Sequence, residues 1–174
     1  VYKRQVGLGG VCLMARFEFS GIDNYISQLN KLQQSTKDGV VGKTVYAGAE
    51  VVADSVRRAI QALPVGDGRA RNGDLVDTVT LPQKAGLLDG FGISRMKDDD
   101  GFVNVKLGFA GYNATRTKRY PRGQPNALIA RSVNSGTTFR KKTKFVDKAV
   151  NSAKKAAEAA MDAACSREIE KIMK

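Results

Sequence analysis

Ser152 and Lys155 have the spacing of a serine nucleophile and its base. They match the Ser-x-x-Lys pattern, in which a lysine lies one helical turn from the hydroxyl. This pair lies on a long predicted helix beside Lys154, where no cleft would surround it. Histidine is absent from the sequence, so the commonest general base and metal ligand is missing. We therefore predict no catalytic residues and no enzymatic activity.

Two short motifs resemble ligand-binding loops but lack residues that such loops need. Residues 7–10, Gly-Leu-Gly-Gly, lack the third glycine and the Lys-Ser/Thr pair of a phosphate-binding loop. The segment Asp98–Gly101 resembles part of a calcium loop, but Lys106 lies near the position where a bidentate glutamate is needed. The two cysteines, Cys12 and Cys165, are too few for a zinc site or a disulfide framework. The sequence therefore predicts no metal and no cofactor.

Positive charge is the strongest chemical feature of the sequence. The 174 residues include 29 Lys and Arg against 17 Asp and Glu, a formal net charge of +12 at pH 7. Residues 111–148 supply most of this excess, because they contain ten basic residues and a single acidic residue, Asp147. We predict a partner-binding ridge beside the last helix, formed by Arg116, Lys118, Arg119, Arg122, Arg140, Lys141, Lys142 and Lys144.

This basic cluster has three interpretations. Lysines and arginines bind the phosphates of nucleic acids, they dock on acidic protein surfaces, and they also simply keep a face solvated. Tyr112, Tyr120 and Phe139 are too few aromatic residues for the stacking path of a single-strand binder. Cations just before a helix oppose its dipole, which favours an anion nearby. Docking on an acidic protein surface is our first interpretation, and contact with the nucleic-acid backbone is our second.

Residues 1–13, VYKRQVGLGGVCL, differ in character from the patterned sequence that follows. Lys3 and Arg4 precede a short apolar stretch, as in a signal peptide, but no small-x-small cleavage site leads into Met14. The first five residues match the translation of a transposon end that is used to prepare sequencing libraries. We expect a non-native or disordered leader at 1–13 and a single domain over residues 14–174.

Apolar spacing predicts a strand and two helices in the first part of the domain. Residues 16–19 alternate polar and apolar side chains, as in a short strand. Residues 22–32 have helical spacing, and a second helix is expected from a cap at Thr36 to Leu63, where Pro64 ends it. The predicted packing stripe of this second helix is Val41, Val45, Gly48, Val52, Val56 or Ser55, Ala59 and Leu63.

The middle of the chain is predicted to form a hairpin. A Gly-rich loop at 64–76 and a short helix capped by Thr80 come first. Residues 91–96 and 103–109 then alternate as two strands around a turn at 97–101, where Asp-Gly supplies a positive φ. We expect these strands, with residues 16–19 alongside, to make the sheet of the domain.

A loop at 111–125, a short helix at 126–133 and a long helix at 144–173 complete the chain. About thirty helical residues extend roughly 45 Å, so we expect part of the last helix to project. The predicted fold class is α+β, a small antiparallel sheet packed against helices, with a long C-terminal helix. No stretch approaches the roughly 20 apolar residues of a membrane span, so no membrane partner is expected.

Five segments of this chain form a recognisable series. They are FEFSGIDNYISQLNKL after Met14, LLDGFGI at a helix-to-strand junction, GFVNVKLGF in the hairpin, Ile129–Thr138 before a Gly-Thr turn, and TFRKKTKFVDKAV. In this order they resemble the phage HK-97 gene-product-ten-like family, the tail-component proteins of long-tailed phages. By that resemblance, Phe145 docks the last helix. The sequence departs from the family at Asn134-Ser135, where an aromatic residue is usual, and lacks the usual proline before Phe145.

The resemblance implies a structural role in a virion, at the neck or the head-proximal end of the tail. Such proteins complete the tail or join it to the head without known chemistry, as homo-oligomeric rings that contact other neck and tail proteins. Six copies follow from tail symmetry, and synthesis would take place in the host cytoplasm. The basic residues would then face an acidic ring or the DNA in its lumen. A basic nucleic-acid-binding protein is the alternative, and a small hydrolase is the least favoured class.

Overall fold

The computed structural model describes residues 22–70, 74–100 and 102–174. Five α-helices and two two-stranded antiparallel sheets are formed within these ranges, which confirms the α+β prediction. In chain order they are α1 (Ile22–Ser35), α2 (Gly42–Gln61), α3 (Leu81–Gly90), β1 (Phe91–Ile93), β2 (Lys97–Asp99), β3 (Phe102–Asn104), β4 (Leu107–Phe109), α4 (Asn126–Ser135) and α5 (Phe145–Met173). The leader at 1–13 and the predicted strand at 16–19 lie outside the described residues.

The first two helices are joined by helical backbone rather than by a capped break. A π-helical segment, Thr36–Val41, continues α1 into α2. Val41 precedes α2 with right-handed helical angles and makes no side-chain cap, so the predicted cap at Thr36 is wrong. Val40 and Gly42 are buried. The π-helical segment therefore keeps these residues packed between the two helices.

Helices α2 and α5 pack closely in antiparallel orientation. Ser55 near the end of α2 donates its hydroxyl to the carbonyl of Ala149 near the start of α5, at 3.0 Å. At the opposite end, Lys43 pairs with Glu168. Small side chains allow this approach, since a Cβ added to Gly48 would lie 2.6 Å from Cγ of Met161. The helix pair is thus held by close backbone contact rather than by large side chains.

The buried stripe of α2 is displaced by one position from the predicted one at several residues. Ala53 and Ile60 are fully buried, whereas the predicted Val52 and Ala59 pack only partly against the core. Both stripes have steps of three and four residues, so periodicity alone does not separate them. The observed residues are the buried ones because α2 contacts α3 and β1 as well as α5.

The last helix does not project. Near its C-terminus, the carbonyl of Met173 accepts a hydrogen bond of 3.0 Å from Nε2 of Gln28 in α1. Glu168 contacts Lys43 in α2. The far half of α5 therefore lies along α1 and α2, which corrects the expectation that part of it extends into solvent.

The hydrophobic core lies where α2, α3, α4 and α5 meet the hairpin. Its largest fully buried side chains are Val56, Ile60, Val79, Leu87 and Val133. Phe145, the first residue of α5, is also buried there. Thr80 caps α3 in a reciprocal capping box with Gln83, as the sequence predicted for the cap. No helix in the described ranges is long and apolar enough to cross a membrane.

The hairpin is antiparallel as predicted, but its ladder is divided in two. Phe91 pairs with Phe109 in the inner part, and their rings lie 5.0 Å apart between centroids. Lys97 pairs with Asn104 in the outer part. The predicted turn at 97–101 is therefore too wide, because Lys97–Asp99 is a strand and Asp100 has the left-handed angle, φ 54°.

Candidate partner-binding surface

Residues 111–125, here called the basic loop, are fixed at their base by backbone hydrogen bonds. The N–H of Asn113 donates to the carbonyl of Gln124 at 2.9 Å, and the N–H of Gln124 donates to the carbonyl of Thr115 at 3.0 Å. Further out, Thr117 and Tyr120 exchange two bonds between their backbones. The chain therefore presents the loop as a short, internally bonded unit.

Two buried asparagines anchor the basic loop to the core. Asn113 and Asn126 are only 5% and 3% exposed. Oδ1 of Asn113 accepts from the N–H of Thr115 at 2.8 Å, and Nδ2 of Asn126 donates to the carbonyl of Ala110 at 2.8 Å. Gly86 of α3 allows this approach, because a Cβ there would lie 2.5 Å from Cβ of Asn113. These bonds and the burial of both side chains fix the two ends of the loop, although Nδ2 of Asn113 and Oδ1 of Asn126 are buried with no hydrogen-bond partner among the described residues.

The basic loop carries four exposed cations, Arg116, Lys118, Arg119 and Arg122. The sequence placed them together in a loop, and the structure does bring them together. The guanidinium of Arg119 lies over the ring of Tyr120, with Cζ 5.8 Å from the ring centroid. This cation–π contact orients the arginine while leaving its charge in solvent.

A recess on this loop combines two arginines with two tyrosines. It has a volume of about 290 Å³ and is lined by Tyr112, Arg119, Tyr120, Pro121, Arg122 and Gly123; we call it the Tyr–Arg recess. Tyr112 is 68% exposed, whereas Tyr120 is half-buried. Gly123 turns the backbone here with φ 116°, an angle that favours glycine. Tyrosine and arginine are the side chains that protein interfaces most often use as anchors.

Arg140 was predicted to bind a partner, but the structure does not place it with the exposed cations. Its side chain is buried, and Nη1 donates to the carbonyl of Thr78 at 3.0 Å. The backbone around it pairs with residue 76, since the N–H of Val76 donates to Phe139 and the N–H of Lys141 donates to Val76. Burial lowers the pKa of the Arg140 guanidinium. This arginine therefore holds the 76–80 segment in place rather than meeting a partner.

The other predicted cations just before α5, Lys141, Lys142 and Lys144, are exposed. Lys144 has left-handed backbone angles and precedes α5 without a side-chain cap. Its N–H donates to the carbonyl of Asn134, at the C-terminal end of α4. The basic loop, by contrast, ends where α4 begins. Ten helical residues span about 15 Å. The candidate residues are thus two clusters at the two ends of α4, with the exposed Arg131 on the helix between them.

Sequence reasoning missed a groove between α2 and α5. It has a volume of about 620 Å³, and its floor is apolar, from Ala59, Ala62 and Phe145. Arg58 and Lys148 stand at its rim. The only sequence feature that relates to this groove is the set of small residues on the facing helices, and such residues do not indicate where a groove opens.

The exposed apolar residues of α1 were also not singled out. Tyr25, Ile26 and Leu29 are 54%, 49% and 41% exposed. Tyr25 and Leu29 are four residues apart, so they lie on one face of the helix. The sequence analysis predicted only that residues 22–32 are helical. In the structure α1 turns another part of its surface toward α5, through Gln28.

The described residues hold no cluster of potential metal ligands. Within the described ranges, no group of three His, Cys, Asp or Glu side chains is placed to hold a metal ion. The hydroxyl of Ser152 donates to the carbonyl of Ala149 in its own helix, at 2.9 Å. The surface described above exposes cations and apolar side chains.

Comparisons with protein-family models, with curated proteins and with solved structures find no match for this chain.

Proposed function

We propose that this protein is a structural component of a phage neck or tail, which completes the tail or joins it to the head without catalysing a reaction. The observation that carries the proposal is the basic loop, whose exposed cations sit on a backbone anchored by buried Asn113 and Asn126. A charged loop held in one arrangement loses little entropy on docking. The resemblance of the sequence to the phage tail-component family supplies the biological setting.

Assembly into a ring is part of this proposal, with other neck and tail proteins as partners and six copies as the expected number. Ring closure requires two different surfaces on each copy. The basic loop is one such surface, and the exposed apolar residues of α1, Tyr25, Ile26 and Leu29, are another. The proposed location is the virion, after synthesis in the host cytoplasm.

Contact with the DNA backbone is the second candidate function. The observation that favours it is the exposed trio Lys141, Lys142 and Lys144 just before α5. These cations oppose the positive end of the helix dipole, an arrangement that a phosphate would relieve. DNA in the lumen of a neck ring would supply such phosphates.

Particle assembly tests the first candidate. The full chain is co-expressed with portal, capsid and tail-tube proteins of long-tailed phages, and complexes are examined by light scattering and electron microscopy. We expect rings that bind one of these proteins, and weaker binding when Lys118, Arg119 and Arg122 are changed to Ser. Changing the exposed Lys154 and Lys155 of α5 to Ser is the control. A chain that stays monomeric and binds none of these proteins would overturn the proposal.

A salt titration against duplex DNA separates the two candidates. Neutralising several phosphates makes the logarithm of the association constant fall steeply with the logarithm of salt concentration, by roughly 0.9 for each phosphate. A steep slope that the Lys141→Ser, Lys142→Ser double variant reduces would favour the DNA candidate. No retention of duplex DNA at low salt would remove it.

A further inference from the structure

The Tyr–Arg recess has the composition of a carboxylate-binding site. Arg119 and Arg122 both line it, and the guanidinium group binds carboxylates through paired, planar hydrogen bonds. Neither arginine has an ion-pair partner among the described residues. No Asp or Glu occurs in the sequence between Asp100 and Asp147. The loop therefore offers two guanidinium groups that its own stretch of chain does not neutralise.

The aromatic side chains favour a protein ligand over a nucleic-acid base. One face of Tyr120 is already covered by the guanidinium of Arg119, 5.8 Å from the ring centroid, so a base would have to displace that cation to stack there. Tyr112 is the one largely exposed ring of the recess, and a single ring does not make a stacking path. Pro121 adds an apolar wall beside it, which suits an aliphatic or aromatic side chain.

We propose that the Tyr–Arg recess receives an acidic segment of a partner protein. A carboxylate of that segment binds between Arg119 and Arg122, and an apolar side chain next to it packs against Tyr112 and Pro121. This inference rests on the proposed function, because it names the chemistry of the partner that the basic loop meets. The volume of about 290 Å³ fits one or two side chains rather than a whole folded element, so the segment inserts as an extended or turned peptide.

Fluorescence polarisation with a fluorescein-labelled peptide of sequence EELEEL tests the proposal on the full chain. We expect binding that becomes at least about tenfold weaker in the Arg119→Ser, Arg122→Ser double variant, as for truncation of interface anchors. Tyr112→Ser should weaken it as well, because the apolar contact is lost. The matched control is Lys141→Ser, Lys142→Ser, which removes two exposed cations at the other end of α4. Thermal melting of each variant establishes that the fold is retained.

A charge exchange sharpens the experiment. In the Arg119→Glu, Arg122→Glu variant, the peptide KKLKKL should bind and EELEEL should not. Equal loss of EELEEL binding in the control variant would overturn the proposal, since binding would then follow overall charge. Tighter binding of a single-stranded dT12 oligonucleotide than of EELEEL would overturn it in favour of nucleic acid. Failure of EELEEL to bind while the chain still forms rings with neck proteins would sink this inference and leave the proposed function standing.

Discussion

Asn126 donates a hydrogen bond from Nδ2 to the carbonyl of Ala110, at 2.8 Å, and thereby closes the base of the basic loop. The same asparagine is the first residue of α4, and its own N–H donates to the carbonyl of Gly111 at 3.0 Å. One residue therefore ties the end of the hairpin to the start of the helix. The position of the loop's cations depends on this link.

Replacing Asn126 with Ala is expected to destabilise the fold by roughly 1–3 kcal/mol, the cost of removing a buried hydrogen-bonded group. The loop should also loosen, so the amide hydrogens of Asn113 and Gln124 should exchange faster. Urea denaturation and hydrogen exchange measure the two effects. Asn151→Ala, an exposed position on α5, is the control and should stay within about 0.5 kcal/mol of the parent protein. Equal effects of the two changes would contradict the role given to Asn126.

Gly90 and Gly92 form a matched pair for a steric test at this junction. A Cβ on Gly90 would lie 2.2 Å from the carbonyl oxygen of Ala110, whereas a Cβ on Gly92 would meet nothing within 4 Å. Neither glycine has a positive φ, so the contrast is purely steric. We expect Gly90→Ala to cost about 1–3 kcal/mol or more by overpacking, and Gly92→Ala to be nearly neutral. Denaturation midpoints that shift equally would show that the two backbones are not this close.

Variants at Arg140 and Lys141 compare a buried cation that supports the fold with an exposed cation that is available for docking. Arg140→Ala leaves the carbonyl of Thr78 without its donor, so we expect a loss of roughly 1–3 kcal/mol. Lys141 is exposed, and Lys141→Ala should change stability by less than about 0.5 kcal/mol. Chemical denaturation of both variants measures the difference. A neutral Arg140→Ala together with reduced partner binding would restore the sequence-based prediction for this residue.

The sequence was sufficient to predict most elements because their signals are local. The spacing in α1, the cap at Thr80 and the alternation around Phe91 and Phe109 depend on neighbours within a few residues. The continuous path from α1 to α2 could not be predicted in this way. It depends on burial of Val40 against elements far along the chain.

The candidate surface was predictable in its charge but not in its geometry. Phe139 is 59% exposed whereas Arg140 is buried, the reverse of what residue type suggests. This reversal follows from pairing of the 139–141 backbone with Val76, a contact over more than sixty residues. The anchoring roles of Asn113 and Asn126 depend on Gly86 in α3 and on Ala110 after the hairpin, 27 and 16 residues away, so no local pattern indicates them.

Glu168 should make the stability of the helix pair depend on pH. Its carboxylate accepts hydrogen bonds from Lys171 and from Lys43, and these lower its pKa from 4.5 to about 2. A carboxyl with a depressed pKa in the folded state contributes stability above its ordinary pKa, and this contribution is lost as pH falls from about 4.5 to about 2. We therefore expect the difference in urea midpoint between the parent protein and Glu168→Gln to shrink over that window. Lys43→Met should reduce the difference, and high salt should do the same because these exposed charges are screened. A difference that stays constant from pH 5 down to about 2 would show that the pairing does not hold α5 to α2.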